Sequence, residues 1–193
     1  MEFNYFKNNI PSFKTKKLGG LDAQFKLAPE LRLKYDRDKI KASNPRKAAV
    51  LILFYPNENN EATFLLTKRA SYKGTHSAQI SFPGGKINEA DLNLQETALR
   101  ETFEEVGVHP KTTQIIRELT AVYIPPSNFL ATPFIAMVEK KPVFMTNYEV
   151  EHTIEVLLKD LLNDSALSMV NLTTSYMKNI DVPCFKLNDY VVW

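Results

Sequence analysis

Two short stretches of this 193-residue chain hold residue types at spacings that could do chemistry. Phe82-Pro83-Gly84-Gly85 reads as a tight turn, and Arg100-Glu101-Thr102-Phe103-Glu104-Glu105-Val106-Gly107-Val108 follows it as a helix bearing three carboxylates. Pro83 fixes one φ angle, and the glycine pair permits a backbone approach that any side chain would block. A helix advances about 100° per residue. Glu101, Glu104 and Glu105 therefore share one side, while Leu99, Phe103 and Val106 share the other, with Thr102 near its edge. Like charges at these offsets repel by roughly 0.2–0.5 kcal/mol per pair, and a divalent cation reverses that penalty. Mg²⁺ prefers oxygen ligands and is usually bound by a few carboxylates together with a substrate's phosphate oxygens, so the stripe supplies what such an ion needs. An acidic helix face by itself is more often solvated surface. The glycine turn just ahead of this one gives the chemical reading its weight.

The elements around the two stretches can be read coarsely. Ala48 to Tyr55 is a continuous apolar run that stops at Pro56-Asn57, the pattern of a buried strand. Thr63 to Thr67 follows as its hairpin partner, and Gln79 to Phe82 is a short strand ending at Pro83. The acidic helix begins between Asp91 and Gln95, with Gly107 as its left-handed cap. Ala121–Ile124 and Pro133–Glu139 read as strands flanking a Pro-Pro-Ser-Asn loop, Val156–Leu162 as a strand running into a helix or turn, and Cys184–Leu187 with Tyr190–Trp193 as a closing hairpin. Residues 1–47 are mixed, with a turn at Leu18-Gly19-Gly20 and a short helix around Pro29–Tyr35. Short strands alternating with helices in one domain indicate α/β or α+β with a mixed sheet.

Bulk properties narrow the function classes. Hydrophobic residues make up 44% and charged residues 24%, ordinary for a globular domain of this length. A net charge of +2 gives no strong field for nucleic acid or an anionic membrane. Basic residues at Lys14, Lys16, Lys17, Arg32, Lys34 and Arg37 are interrupted by Asp36 and Asp38 and read as solvated surface. Cys184 is the single cysteine, so a disulfide within the chain is excluded and a reducing, cytoplasmic setting is expected. Met1 to Tyr5 lacks the charged and apolar regions of a secretory signal, and no apolar run approaches the ~20 residues that span a bilayer.

At these residues the chain resembles the Nudix hydrolases. Gly85 opens the family's box, Asp91 stands at its first glutamate, Arg100-Glu101 and Glu104-Glu105 fall in place, and Gly107-Val108 closes it. Asp91 replaces a glutamate, Thr102 replaces an aliphatic residue, and the spacer Leu92–Leu99 is one residue longer than the general pattern. The longer spacer resembles the coenzyme A diphosphatase branch, whose upstream motif is matched by Leu65-Leu66-Thr67-Lys68-Arg69-Ala70 and Phe82-Pro83-Gly84-Gly85, with His76 and Gln79 inside it. Gly74 stands where that motif has its second arginine and Ala78 where it has a glycine; Lys73 is one place from the missing cation.

The resemblance implies a Nudix fold, a mixed β-sheet sandwiched between helices with a loop-helix-loop box. It would extend over about residues 45–193 as a single domain, with residues 1–45 packed on it as an N-terminal extension and a closing helix after Trp193. It implies hydrolysis of a small-molecule diphosphate with Mg²⁺ or Mn²⁺, coenzyme A giving 3′,5′-ADP and 4′-phosphopantetheine, and homodimers are common in the family. Glu101 and Glu105 would be the first ligands, with Glu104 as third ligand or general base. Arg100 would hold a glutamate in place by a bidentate contact. Arg69, Lys73, His76, Gln79, Gly84 and Gly85 would meet substrate. Glu149 and Glu151 remain alternatives for the base, and Ser127 and Asn128 could reach the cleft from their loop. His109 and His152 have no constellation around them. Two other readings stay open: a diphosphatase for another nucleoside diphosphate derivative such as ADP-ribose, and a non-catalytic domain that senses a nucleotide or acyl-coenzyme A.

Overall fold

The computed structural model of the protein describes residues 1–70, 79–174 and 178–193. In chain order these form α1 (Phe3–Thr15), α2 (Gly20–Phe25), α3 (Arg37–Ala42), β1 (Arg46–Pro56), β2 (Ala62–Arg69), β3 (Ile80–Ser81), β4 (Gly84–Lys86), α4 (Leu94–Val106), β5 (Gln114–Glu118), β6 (Val122–Ile124), β7 (Phe129–Met137), β8 (Val150–Leu157), α5 (Leu158–Leu161), β9 (Leu167–Leu172), β10 (Ile180–Leu187) and β11 (Tyr190–Val192).

Strand β1 is apolar from Ala48 to Tyr55 because both of its faces are covered there. Leu51, Leu53 and Tyr55 join one hydrophobic layer with Ala98 and Val106 of α4. Phe54 joins the other with Phe3, Phe6 and Ile10 of α1. A mixed sheet thus lies between helices, as expected. β1 runs parallel to β7 from Arg46↔Phe129 to Phe54↔Met137. Its opposite edge is divided: β4 pairs with the first half (Ala49↔Gly85) and β2 with the second (Phe54↔Phe64). β3 and β8 pair with β2, β5 and β6 pair with β7, and β9–β10–β11 form a separate small sheet. Among the described residues no helix is long and apolar enough to cross a membrane.

Several boundaries differ from the sequence reading. The first 47 residues are more helical than expected. Phe3, Phe6 and Ile10 recur at helical spacing and bury one side of α1, although Pro11 lies inside that helix. The expected helix near Pro29 is a single 3-10 turn, Glu30–Arg32. β7 begins at Phe129 rather than at Pro133. Pro133 cannot donate a hydrogen bond, and it sits where the outer edge of β7 passes from β5 to β6. β8 begins at Val150, and β5 and β9 were not anticipated. The closing hairpin is present, turned by Asn188 (φ 48°) and Asp189 (φ 64°), the two left-handed residues of a type I′ turn.

Helix α4 is fixed at both ends. Asn93 accepts from the Glu96 N–H at 3.0 Å while the Glu96 carboxylate accepts from the Leu92 N–H at 2.9 Å. At the far end Gly107 (φ 77°) donates to the Phe103 carbonyl at 2.9 Å.

Candidate functional site

The glycine turn is where the sheet meets the acidic helix. A Cβ on Gly84 (φ 152°) would lie 2.3 Å from the Ala49 carbonyl oxygen, so only glycine lets β4 lie against β1 here. The Gly84 N–H donates to Glu105 Oε2 at 3.0 Å, and Arg69 Nη1 donates to Oε1 at 3.3 Å. Glu105 is 3% exposed. Burial pushes its pKa up to about 7; the Gly84 N–H and Arg69 pull against this, while Glu101 and Glu149 add to it. A Cβ on Gly85 would lie 2.5 Å from Glu101 Cδ, so the Glu101 carboxylate rests directly on the bare Cα of Gly85. Burial raises the Glu101 pKa as well, opposed by Arg100 and reinforced by Glu104 and Glu149.

Arg100 organises the flank. Its Nε and Nη2 grip Asp91 at 2.8 and 2.9 Å, and Nη1 donates to Glu101 at 2.9 Å and Glu104 at 3.0 Å. The two-point contact expected with a glutamate is therefore made with Asp91 instead. The Asp91 carboxylate is fixed by the Asn88 N–H (2.8 Å) and the Thr97 hydroxyl (2.9 Å), and it faces the Nε side of the guanidinium. The Arg100 bonds, ahead of those from Asn88 and Thr97, hold Asp91 well below the usual carboxylate range.

The buried face of α4 is also corrected. It consists of Thr97, Ala98, Thr102, Glu105 and Val106, while Phe103 is 46% exposed and meets His109 edge to face at 5.4 Å. The helix is turned roughly a quarter turn from the expected orientation. Burial of Glu105 is what the turn accomplishes, and the waiting Gly84 N–H and Arg69 make it tolerable. Thr102 satisfies its own hydroxyl by donating to the Ala98 carbonyl at 2.7 Å. Small residues on this face also bring the helix close to β1 and β4.

A cleft of about 430 Å³ opens beside these groups. Ala48, Val50 and Phe129 give it an apolar wall, and the Arg46 guanidinium stacks on Phe129 at 4.1 Å. Arg69, Gln79, Gly84, Gly85, Lys86, Glu101 and Glu149 supply its polar side. Of the site residues expected from sequence, the structure brings Glu101, Arg69, Gln79, Gly84 and Gly85 to this cleft and buries Glu105 behind them. Glu104 is 51% exposed on the Arg100 side. Lys73 and His76 lie outside the described residues.

The two later acids separate. Glu149 enters the cleft, where Arg69 Nη2 donates to it at 3.2 Å. Its backbone is held by Asn147, whose side chain accepts from the Glu149 N–H (2.9 Å) and whose own N–H donates to the Glu105 carbonyl (3.1 Å). Glu151 pairs with Lys68 at 2.8 Å, away from the cleft. Asn128 is structural: left-handed (φ 49°), it accepts from the Tyr123 hydroxyl and donates to the Ser43 carbonyl, each at 3.0 Å. Sequence reasoning missed Lys86, Phe129 and the anchoring role of Asp91. Lys86 directly follows the glycine pair, the one signal available. Phe129 reaches the wall only through the parallel β1–β7 register, which local pattern does not reveal.

Among the described residues, no three histidine, cysteine, aspartate or glutamate side chains form a ready-made metal cage. Glu101, Glu104 and Glu105 do not converge as expected, because Arg100 takes Glu101 and Glu104 while Gly84 and Arg69 take Glu105. The donor set nonetheless suits a hard cation. It is made of carboxylate oxygens, and those of Glu101 and Glu105 repel each other and hold their protons more tightly than usual.

Comparison with known proteins bears on this geometry. The model of the NUDIX domain matches residues 45–164. An uncharacterised Nudix hydrolase, NudL, of Enterobacter sp. (strain 638) is 40% identical over 108 residues, which cover 56% of this chain and 53% of that protein. The peroxisomal coenzyme A diphosphatase ndx-8 of Caenorhabditis elegans is 27% identical over 152 residues, covering 78% of this chain and 63% of that one. The chain thus spans between about half and just under two thirds of the length of these two relatives. A crystal structure of the Nudix hydrolase RenU of M. smegmatis superposes with a TM-score of 0.52 at 21% identity, over 61% of this chain and 74% of that one, a likeness of fold.

Proposed function

The chain belongs to the Nudix hydrolase family, and on that premise we propose that its cleft hydrolyses the diphosphate linkage of coenzyme A or its thioesters, giving 3′,5′-ADP and 4′-phosphopantetheine or its acyl form. The observation that carries the reaction class is the crowding of Glu101, Glu105 and Glu149 around the glycine turn at the mouth of a cleft. Support for coenzyme A comes from the motif at Leu65–Ala70 and Phe82–Gly85 and from the name of the worm relative.

Glu101 and Glu105 would hold Mg²⁺ or Mn²⁺, with Glu104 or Glu149 completing the set; when bound, the ion withdraws charge from a phosphoryl oxygen and acidifies a water. The protein's own groups do the rest. Gly84 and Gly85 let the substrate's diphosphate approach the backbone without obstruction from a side chain. Arg100 and Asp91 fix the helix face that presents Glu101. Arg69, held between Glu105 and Glu149, balances their charge and offers its guanidinium to a phosphate at the cleft. Lys86 adds a cation at the rim. Glu149 faces the same space and is placed to accept a proton from an attacking water. Phe129 and Val50 give an apolar surface for the part of the substrate that does not react. The single, buried Cys184 supports action in a reducing compartment such as the cytoplasm.

Turnover of coenzyme A, dephospho-coenzyme A and ADP-ribose, each with Mg²⁺ and with Mn²⁺, tests the reading. Coenzyme A is expected to have the highest kcat/KM and to lose all turnover with chelator. A preference for ADP-ribose overturns the substrate, and saturable nucleotide binding without turnover of any compound overturns the enzyme.

A further inference from the structure

A second hollow lies where the N-terminal segment wraps the sheet. It encloses about 530 Å³ between α2, α3 and the first residues of β1 and β7. Its floor is apolar, built from Leu21, Ile40, Pro45, Ala121 and Leu130. Its rim carries Arg37, Lys41 and Lys47, which are exposed and form no ion pair among the described residues. Successive residues of a strand point to opposite faces of a sheet. Ala48 and Phe129 line the catalytic cleft, whereas Lys47 and its register partner Leu130 line this hollow. The two cavities therefore open on opposite faces of the same strand pair, and a ligand of one does not occupy the other.

The charge here is local. Residues 20–47 hold eight lysines and arginines against four acidic residues, although the whole chain is only +2. Ligand sites of this size are typically apolar with a few polar groups that fix orientation. We propose that the hollow binds a small amphipathic anion, an alkyl carboxylate whose chain lies on Leu21, Ile40 and Leu130 and whose head group meets Arg37, Lys41 and Lys47. An apolar body is required because the floor offers dispersion and desolvation rather than hydrogen bonds. A carboxylate head suits the rim because its three cations have no carboxylate paired with them among the described residues.

Methyl NMR of the full chain titrated with octanoate tests this. Saturable shifts are expected at Leu21, Ile40 and Leu130, with binding at least tenfold weaker for uncharged 1-octanol. The double variant Arg37→Glu/Lys41→Glu should weaken octanoate at least tenfold while melting temperature and diphosphate hydrolysis stay unchanged. No saturable shift at these methyls overturns the proposal. So does equal binding by the double variant, an equal response to inorganic phosphate alone, or octanoate shifts centred on Val50 in the catalytic cleft. Because hydrolysis is measured separately, failure here leaves the proposed reaction standing, and the reverse also holds.

Discussion

Asp91 and Glu105 are both buried carboxylates paired with an arginine, one beside α4 and one on it, yet they are opposites. Asp91 receives two strong bonds from Arg100, at 2.8 and 2.9 Å, and further donors from Asn88 and Thr97; its negative charge is welcome. Glu105 receives one long bond from Arg69 at 3.3 Å and one from Gly84, with two acids close by; its charge is unwelcome, and its proton is held to about pH 7. Arg69 is shared with Glu149, and its Nε is buried without a partner among the described residues. The difference teaches where the helix is anchored and where it is kept electrostatically unsettled. A fold built for stability alone would satisfy both acids. The one whose charge is less well compensated faces the glycine turn, where a cation and a substrate phosphate would complete it.

The comparison can be broken from either end. The largest effect is expected for Glu105→Gln, which removes a charge the fold does not want. Turnover should fall by about a hundredfold or more, while the melting temperature of the metal-free protein holds or rises. Unchanged turnover in saturating Mg²⁺ would take Glu105 out of the reaction. Next comes Gly85→Ala, whose added methyl must displace the Glu101 carboxylate now 2.5 Å from that position. A misplacement of this kind is expected to cost roughly tenfold to a hundredfold in kcat, and circular dichroism should show an intact fold. Full activity would mean that the Glu101 position is not used.

Asp91→Asn acts on the anchored end. Losing a charge-assisted, largely buried pair should cost about 1–3 kcal/mol in denaturant unfolding, and an unchanged midpoint would show that the Arg100 network contributes nothing. The mildest test is pH. The native pKa of Glu105 is raised from 4.5, so its contribution to metal-free stability is complete below pH 4.5 and is lost as pH rises toward about 7. Asp91 is lowered from 3.8, so its contribution is present above that value and is lost as pH falls below it. Melting temperature against pH should therefore lose its neutral slope in Glu105→Gln and its acid slope in Asp91→Asn. Mn²⁺ affinity should also climb with pH up to about 7, and a flat titration of affinity would contradict the raised pKa.

Much of this was legible in the sequence where the signal was local. The Pro-Gly-Gly turn, the acidic helix with its Gly107 cap, the β1–β2 hairpin and the terminal hairpin all follow from residue types a few positions apart. What was lost depended on partners far along the chain. Helical periodicity alone puts Phe103 inside and Glu105 outside. Only the presence of Gly84 and Arg69 on neighbouring strands reverses them. Glu149 and Glu151 look interchangeable in sequence, yet the Asn147 turn sends one into the cleft and the strand leaves the other on Lys68. The helical character of residues 3–15 was available in the Phe3-Phe6-Ile10 spacing and was hidden by Pro11.

The parallel register of β1 and β7 has a consequence for biosynthesis. Arg46 pairs with Phe129 and Phe54 with Met137, while Thr63 of the neighbouring strand pairs with Leu157. A ribosome thus releases β1, β2, the glycine turn and all three box glutamates before β7 and β8, the strands that complete the sheet around them, exist. The acidic helix has β1 and β4 to lie on, but β1 lacks its β7 partner and β2 its β8 partner until the later strands emerge, so assembly is dominated by distant pairings and is expected to be slow. Arrest of translation before β7 would leave every motif residue present and the cleft without Phe129 and Glu149.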